Sequence, residues 1–115
     1  MNEVQQKRID LFHIEQVLKG KDLSDISLIC VDRDIPGNIG LLDAEDYAGF
    51  LEHAETGGPS LREDMVNQEA AGHFENDIPI VCMQKMELNG APVADLFLTS
   101  LKNLRKQKRE TIERN

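Results

Sequence analysis

Three carboxylates and one glycine follow one another at short intervals between positions 32 and 43. Asp32, Asp34 and Asp43 fit the spacing Asp-x-Asp-x-x-Gly-x-Ile-x-x-x-Asp, with Gly37 near its centre. Alternate carboxylates can point at one ion, a glycine permits a sharp turn, and a final acid can close the oxygen shell around a hard cation such as calcium. The spacing is therefore compatible with a site for such a cation.

These twelve residues resemble the calcium-binding loop of EF-hand proteins. The resemblance covers residues 32–43 alone. It implies a calcium ion with Asp32, Asp34 and Asp43 as side-chain ligands and the backbone carbonyl of Asn38 as a further ligand. Pro36 stands where that family has a side-chain oxygen, and Asp43 replaces a longer glutamate. The alternative is a structural joint, in which Pro36-Gly37 turns the chain after a strand and Asp43 caps the following helix. A calcium-binding protein is one function class that the sequence leaves open.

The three histidines are the other candidate chemical groups. His13, His53 and His73 lie on separate segments, and no His-x-x-x-His or His-Glu-x-x-His pair occurs among them. The chain also lacks a Gly-x-Ser-x-Gly elbow and a glycine-rich phosphate loop. A small enzyme that uses His53, His73 and carboxylates is therefore kept as an alternative, and the sequence predicts no individual catalytic residue.

The charges are strongly separated along the chain, although the net charge is −8. From Lys102 onward there are six basic residues and two acids, whereas residues 43–77 hold ten acids and only one basic residue, Arg62. Such a separation favours binding to a partner or association between copies. The residues expected to bind a partner are Lys102, Arg105, Lys106, Lys108, Arg109, Glu52, Glu55 and Glu63.

These observations favour a non-enzymatic protein–protein interaction module, which could be a small acidic adaptor, an inhibitor or a chaperone-like protein. The expected partner is another protein or a second copy in a homodimer. Nucleic acid is disfavoured, because the basic stretch has no interleaved aromatic residues and has acidic neighbours. No cofactor is predicted apart from the calcium of the alternative interpretation.

The expected cellular compartment is inferred from two features that the sequence lacks, a membrane span and a signal peptide. No stretch approaches the roughly 18 apolar residues of a membrane span, and the polar first residues do not resemble a signal peptide. We therefore expect a cytoplasmic protein without membrane attachment. Cys30 and Cys82 lie in separate apolar runs, which indicates two buried thiols, although a disulfide between neighbouring strands is also compatible with the pattern.

The apolar pattern predicts one α+β domain over residues 1–115, with residues 105–115 as a basic helical extension. Helical spacing predicts helices over about 3–19, from Asp43 and from Ser60, while 26–31 and 78–83 have the composition of strands. We expect a small sheet of two or three strands packed against about four helices, ending in a long C-terminal helix over about 92–113. The open edges of so thin a sheet favour a homodimer.

Overall fold

The computed structural model describes residues 3–35, 37–57 and 59–114, and within them the side chains of residues 11–35, 37–52, 61–93 and 95–107. Four α-helices and four β-strands are present in these ranges, together with a short 3₁₀ turn at Leu23–Asp25. In chain order they are α1 (Glu3–Leu18), β1 (Leu28–Asp32), β2 (Ile39–Leu42), α2 (Ala44–Gly57), α3 (Pro59–Ala70), β3 (Pro79–Leu88), β4 (Ala91–Ser100) and α4 (Leu101–Arg114).

The four strands form one mixed sheet in the order β2-β1-β3-β4. β1 pairs antiparallel with β2 and parallel with β3, and β3 pairs antiparallel with β4. The two helices α2 and α3 make the crossover that a parallel pair of strands requires. The α+β class is confirmed, but the expectation of two or three strands is wrong.

One strand escaped prediction because it lies in the supposed cation loop. β2 has only four residues, and one of them is Gly40, so its sequence alone resembles a connection. Its structure comes from a partner: Val31 pairs with Ile39, and Leu28 pairs with Leu42. The stretch after β1 is therefore the second half of a β-hairpin.

The other correction concerns the start of the last helix, which is Leu101 and not Pro92. Asn89 and Gly90 have φ angles of 53° and 81°, as a two-residue hairpin turn demands, so the chain returns as β4. Pro92 is tolerated there because β4 is an edge strand. Leu88 and Ala91 form the hydrogen-bonded pair that closes the turn, so the backbone of the next residue, Pro92, faces away from β3. The N–H that proline lacks is therefore not needed for pairing with β3.

Helices cover both faces of the sheet, and strand residues alternate between two cores. Ile29 and Ile80 face α1 and α4, whereas Leu28 and Val81 face α2 and α3. The first core contains Leu11, Ile14, Leu18, Ile29, Val31, Ile78, Ile80, Cys82, Leu101 and Leu104. The second contains Leu28, Leu61, Met65 and Val81, with Tyr47, Phe50 and Leu96 among the partly buried residues around it. Because both faces are covered, apolar runs in the strands do not alternate with polar residues.

Several local predictions are confirmed. α1 ends at Leu18, just before Gly20, whose φ of 80° fits a glycine at a helix C-terminus. Asp43 caps α2, because its Oδ1 accepts a hydrogen bond from the backbone N–H of Asp46 at 2.8 Å. The turn predicted at Pro36-Gly37 is confirmed by its described residues, because Asn38 donates its backbone N–H to the carbonyl of Ile35 at 3.0 Å and Gly37 has a φ of 84°. Pro36 itself and the side chain of Ser60, the other predicted cap, fall outside the described residues or side chains.

The distal half of the β3–β4 hairpin extends beyond the rest of the sheet. β1 pairs with β3 only as far as Met83, so residues 84–88 and 91–95 form a two-stranded projection, which we call the arm. Arg33, just after β1, still donates its backbone N–H to the carbonyl of Met83 at 2.9 Å. The arm therefore begins where β1 ends, and its support comes from the loop that follows β1.

Candidate interaction site

The outer edge of β4 offers unpaired backbone groups. In an antiparallel pair, residues that exchange hydrogen bonds alternate with residues whose N–H and C=O point outward. Leu88 and Ala91 flank the two-residue turn and form the first hydrogen-bonded pair, so Ala94, Leu96 and Leu98 direct their backbone groups away from β3. Since β4 is the last strand in the sheet order, these groups lie on its free side.

An open cleft of about 390 Å³ lies against the end of this edge. β4 and α4 form one side of the cleft, and the end of α3 and the turn after it form the other. The residues described around it are Gln68, His73, Phe74, Leu98, Thr99, Ser100, Lys102, Asn103 and Lys106. None of these nine is acidic, although the protein as a whole carries a net charge of −8. The cleft is thus a basic recess in an acidic protein.

The first turn of α4 positions the basic side of the cleft. Ser100 Oγ accepts the backbone N–H of Asn103 at 3.1 Å, and Asp77 Oδ1 accepts the backbone N–H of Lys102 at 3.0 Å. These acceptors satisfy donors that a helix N-terminus leaves without intrahelical partners. Lys102 and Lys106 are four residues apart and therefore project from the same face of α4.

The two lysines keep their charge available to the cleft. Lys102 Nζ lies 3.5 Å from the backbone carbonyl of Glu75, which is a neutral acceptor. Within the described side chains, no carboxylate forms an ion pair with Lys102 or Lys106. A carboxylate from outside could therefore bind either ammonium group without displacing an internal carboxylate.

Arg105 has a different role from its basic neighbours. Its Nε and Nη2 atoms lie 2.8 and 3.2 Å from the two carboxylate oxygens of Glu15, which joins α4 to α1. This hydrogen bonding raises the pKa of Arg105 and keeps its charge engaged inside the molecule. Arg105 thus pairs with α1 and does not line the cleft.

Two of the remaining residues predicted to bind a partner, Glu52 and Glu63, are exposed on α2 and α3 and do not line the cleft. The side chains of Glu55, Lys108 and Arg109 lie outside the described part of the structure. Among the predicted residues whose side chains are described, Lys102 and Lys106 lie together at the cleft, and the structure adds His73 and the edge of β4 to them.

The three predicted calcium ligands each have a structural partner. Asp32 is almost buried, and its Oδ1 accepts the backbone N–H of Asp34 at 2.9 Å. Asp34 Oδ2 accepts the backbone N–H of Lys85 at 2.7 Å. Asp43 lies at the other end of β2, roughly 17 Å of extended chain away from Asn38. Among the described residues, no group of three or more His, Cys, Asp or Glu side chains could hold a metal ion. Calcium binding stays a prediction.

The histidines and cysteines do not form a shared site in the described structure. His73 lies at the cleft, whereas His13 lies on α1 near Gly37, and the side chain of His53 is outside the described residues. Both cysteines are free thiols, and they face opposite sides of the sheet: Cys82 belongs to the core under α1 and α4, and Cys30 to the core under α2 and α3. The alternative of a disulfide between them is wrong.

The arm exposes apolar side chains that sequence analysis had assigned to other roles. Met86, Leu88 and Val93 are 48%, 59% and 37% exposed, and their strand positions place all three on one face. The helix predicted over about 92–113 includes Val93, whereas Met86 and Leu88 follow the strand predicted over 78–83. The signal that could have found them is Asn89-Gly90 between two apolar runs, which is a hairpin pattern.

The comparisons with known proteins do not assign this site. No protein family model, curated protein or solved structure matches the chain. Within the described residues, no helix has the length and apolar character needed to cross a membrane. The function must therefore be inferred from the geometry of the β4 edge and its cleft.

Proposed function

We propose that the protein is a non-enzymatic interaction module that binds an extended, acidic polypeptide strand along the outer edge of β4. The observation that supports this proposal is the position of the basic cleft at the end of an edge strand. Strand addition supplies affinity through main-chain hydrogen bonds, and pockets beside the edge supply specificity through side chains. Ala94, Leu96 and Leu98 would provide the main-chain groups, and the cleft would select the charge.

The composition of β4 supports this use of its edge. Natural proteins protect sheet edges with charged residues, prolines or very short strands. The other edge, β2, has only four residues, whereas β4 has ten and carries a single charged residue, Asp95. Pro92 protects only the distal end of β4. The stretch from Ala94 to Thr99 is thus open to pairing.

The side chains around the cleft support an acidic partner. Lys102 and Lys106 offer two ammonium groups, while Gln68, Thr99 and Asn103 offer neutral polar groups. Phe74 and Leu98 add apolar surface beside them. A strand that alternates apolar and acidic residues would satisfy both kinds of surface. A basic strand would meet the two lysines with like charge.

Fluorescence polarisation with three ten-residue peptides would test the proposal. The peptides share alternating apolar positions and differ only in having acidic, neutral or basic residues between them. We expect the acidic peptide to bind about tenfold more tightly than the basic one at low salt, a difference of about 1.4 kcal/mol. The preference should shrink in high salt, because exposed charges are screened.

Matched variants show whether the cleft is responsible. Lys102→Gln with Lys106→Gln should remove the preference for the acidic peptide, whereas Lys19→Gln with Lys21→Gln, two exposed lysines away from the cleft, should retain it. Failure of all three peptides to bind, at protein concentrations where the chain is monomeric, would refute the proposal. Equal binding of the three peptides by the parent protein would refute the assignment of charge selection to the cleft.

A further inference from the structure

We infer that the strand that pairs with β4 is β4 of a second copy, related by a two-fold axis at Leu96, so that the arm of each copy lies against the basic cleft of the other. This inference rests on the proposed function and names the partner of the same site. The occupant is a second copy of this chain. The arguments are the register of the strand, the charges of the arm and cleft, and the uncovered apolar face of the arm.

The charge of Asp95 selects the register. An axis at Asp95 would give nearly complete overlap of the two strands, but it would place Asp95 directly opposite its own copy, and like charges in that arrangement are destabilising. An axis at Leu96 keeps almost the same overlap and pairs Ala94 with Leu98 of the other copy. The outward backbone groups of both strands then face each other. The product is a continuous eight-stranded sheet.

This register gives Asp95 a cationic neighbour. It places Asp95 opposite Phe97 of the second copy, and the guanidinium carbon of Arg33 lies 5.3 Å from the centre of that ring. The arm also brings Glu87 toward the cleft, since Glu87 pairs with Pro92, and Pro92 would lie opposite Ser100 of the second copy. The arm carries the carboxylates of Glu87 and Asp95 and the ammonium group of Lys85, so its net charge is −1. It meets the cations Arg33, Lys102 and Lys106 of the other copy. Charge complementarity favours the second copy as the occupant.

The apolar face of the arm gains cover in the same arrangement. Met86, Leu88 and Val93 continue the sheet face that α1 and α4 cover elsewhere, and they remain exposed in the single chain. With the axis at Leu96, Val93 lies opposite Thr99 of the second copy, next to the start of its α4. That helix lies on the same face of the sheet as the arm residues. Dimerisation would therefore bury apolar surface that the monomer exposes.

Disulfide crosslinking of Leu96→Cys tests the partner and the register together. At a two-fold axis the two Cα atoms of this hydrogen-bonded pair would be about 5.5 Å apart, within the range of a disulfide. We expect oxidation to give a covalent dimer at micromolar protein. Thr99→Cys is the control, because residue 99 and its copy would be about 20 Å apart along the strands. The parent protein, with Cys30 and Cys82, gives the background.

Sedimentation velocity of the full chain supplies a second measurement. The parent should form a concentration-dependent dimer, and Val93→Lys, which places a charge on the arm, should raise the dissociation constant at least tenfold. Leu23→Lys is the control, since Leu23 is similarly exposed and lies outside the arm and cleft. Circular dichroism of each variant verifies its fold.

The results separate this inference from the proposed function. A monomeric parent, together with no more covalent dimer from Leu96→Cys than from Thr99→Cys, would refute the second copy as the partner. Binding of the acidic peptide under those conditions would still support the proposed function. If the peptide also fails to bind, both are refuted.

Discussion

The carboxylate of Asp34 accepts a hydrogen bond from the backbone N–H of Lys85 at 2.7 Å, although 51 residues separate them in the sequence. This bond lies next to the backbone hydrogen bond between Arg33 and Met83, two residues further along β3. The two bonds together join the loop after β1 to the start of the arm. A residue that the sequence suggests as a calcium ligand thus serves as the anchor of the arm. The arm presents β4, so this contact supports the proposed binding edge from outside the edge itself.

Replacement of Asp34 by alanine should loosen the arm. The lost hydrogen bond involves a charged acceptor but is exposed, so we expect the free energy of unfolding to fall by about 1 kcal/mol. Hydrogen exchange at the Lys85 amide should accelerate by a larger factor than exchange at core amides such as that of Ile80. Asp64→Ala on the exposed side of α3 removes the same charge and should leave both quantities nearly unchanged. Unaltered exchange at Lys85 would show that the anchor has no role.

Two glycine-to-alanine substitutions should have opposite effects on stability. Gly90 has a φ of 81° in the arm turn, where an alanine is strained even though the space is open, so Gly90→Ala should cost about 1–2 kcal/mol. Gly49 lies inside α2 with free space at the position of a Cβ atom, so Gly49→Ala should add about 0.5–1 kcal/mol. Urea denaturation of the two variants measures both effects. Equal effects would contradict the assignment of residues 89–90 to a hairpin turn.

The free energy of unfolding should fall in alkaline solution because two partly buried groups, the Cys30 thiol and the Tyr47 phenol, have raised pKa values. Burial raises the pKa of the Cys30 thiol above its ordinary 9.0, and burial, with a smaller contribution from Glu69, raises that of the Tyr47 phenol above 10.0. As pH rises past each ordinary value, the unfolded chain releases the proton before the folded chain does. Fewer protons are then bound in the unfolded state, so the free energy of unfolding decreases.

Urea midpoints at pH 7, about 9.5 and about 11 would measure this decline. Tyr47→Phe should reduce the loss above pH 10, and Cys30→Ala should reduce the loss that begins near pH 9, whatever each substitution costs at neutral pH. The quantity to compare is the change in the urea midpoint with pH. A packing defect lowers the midpoint at every pH, whereas the loss of a titrating group changes how the midpoint depends on pH. A slope that neither substitution changes would contradict this origin of the alkaline instability.

Millimolar calcium should leave the melting temperature unchanged. Asp43 is held at the opposite end of the β1–β2 hairpin from Asp32, and Asp34 is engaged with Lys85, so the three carboxylates do not share one oxygen shell. A ligand that bound the folded state would raise the melting temperature by mass action. A rise with calcium that Asp32→Asn abolishes would show instead that the EF-hand resemblance reflects binding.

The sequence carried the local features of this protein because they depend on neighbouring residues. Asp43 can cap α2 from its own side chain, Gly20 ends α1, and Asn89-Gly90 turns the chain, and all three are recognisable without tertiary information. The apolar runs at 26–31 and 78–83 likewise identified the two central strands, which are buried on both faces.

Only the tertiary structure decided which segments pair with one another as strands. β2 is a strand because β1 lies beside it, and β4 is a strand because β3 does, since the backbone hydrogen bonds that define a strand come from another segment. The same pairing places Lys102 and Lys106 beside the free edge of β4 and binds Asp34 to Lys85. The separation of charge was visible in the sequence, but the cleft depends on contacts across more than 20 residues, such as those of Lys102 with Glu75 and Asp77, which no local pattern specifies.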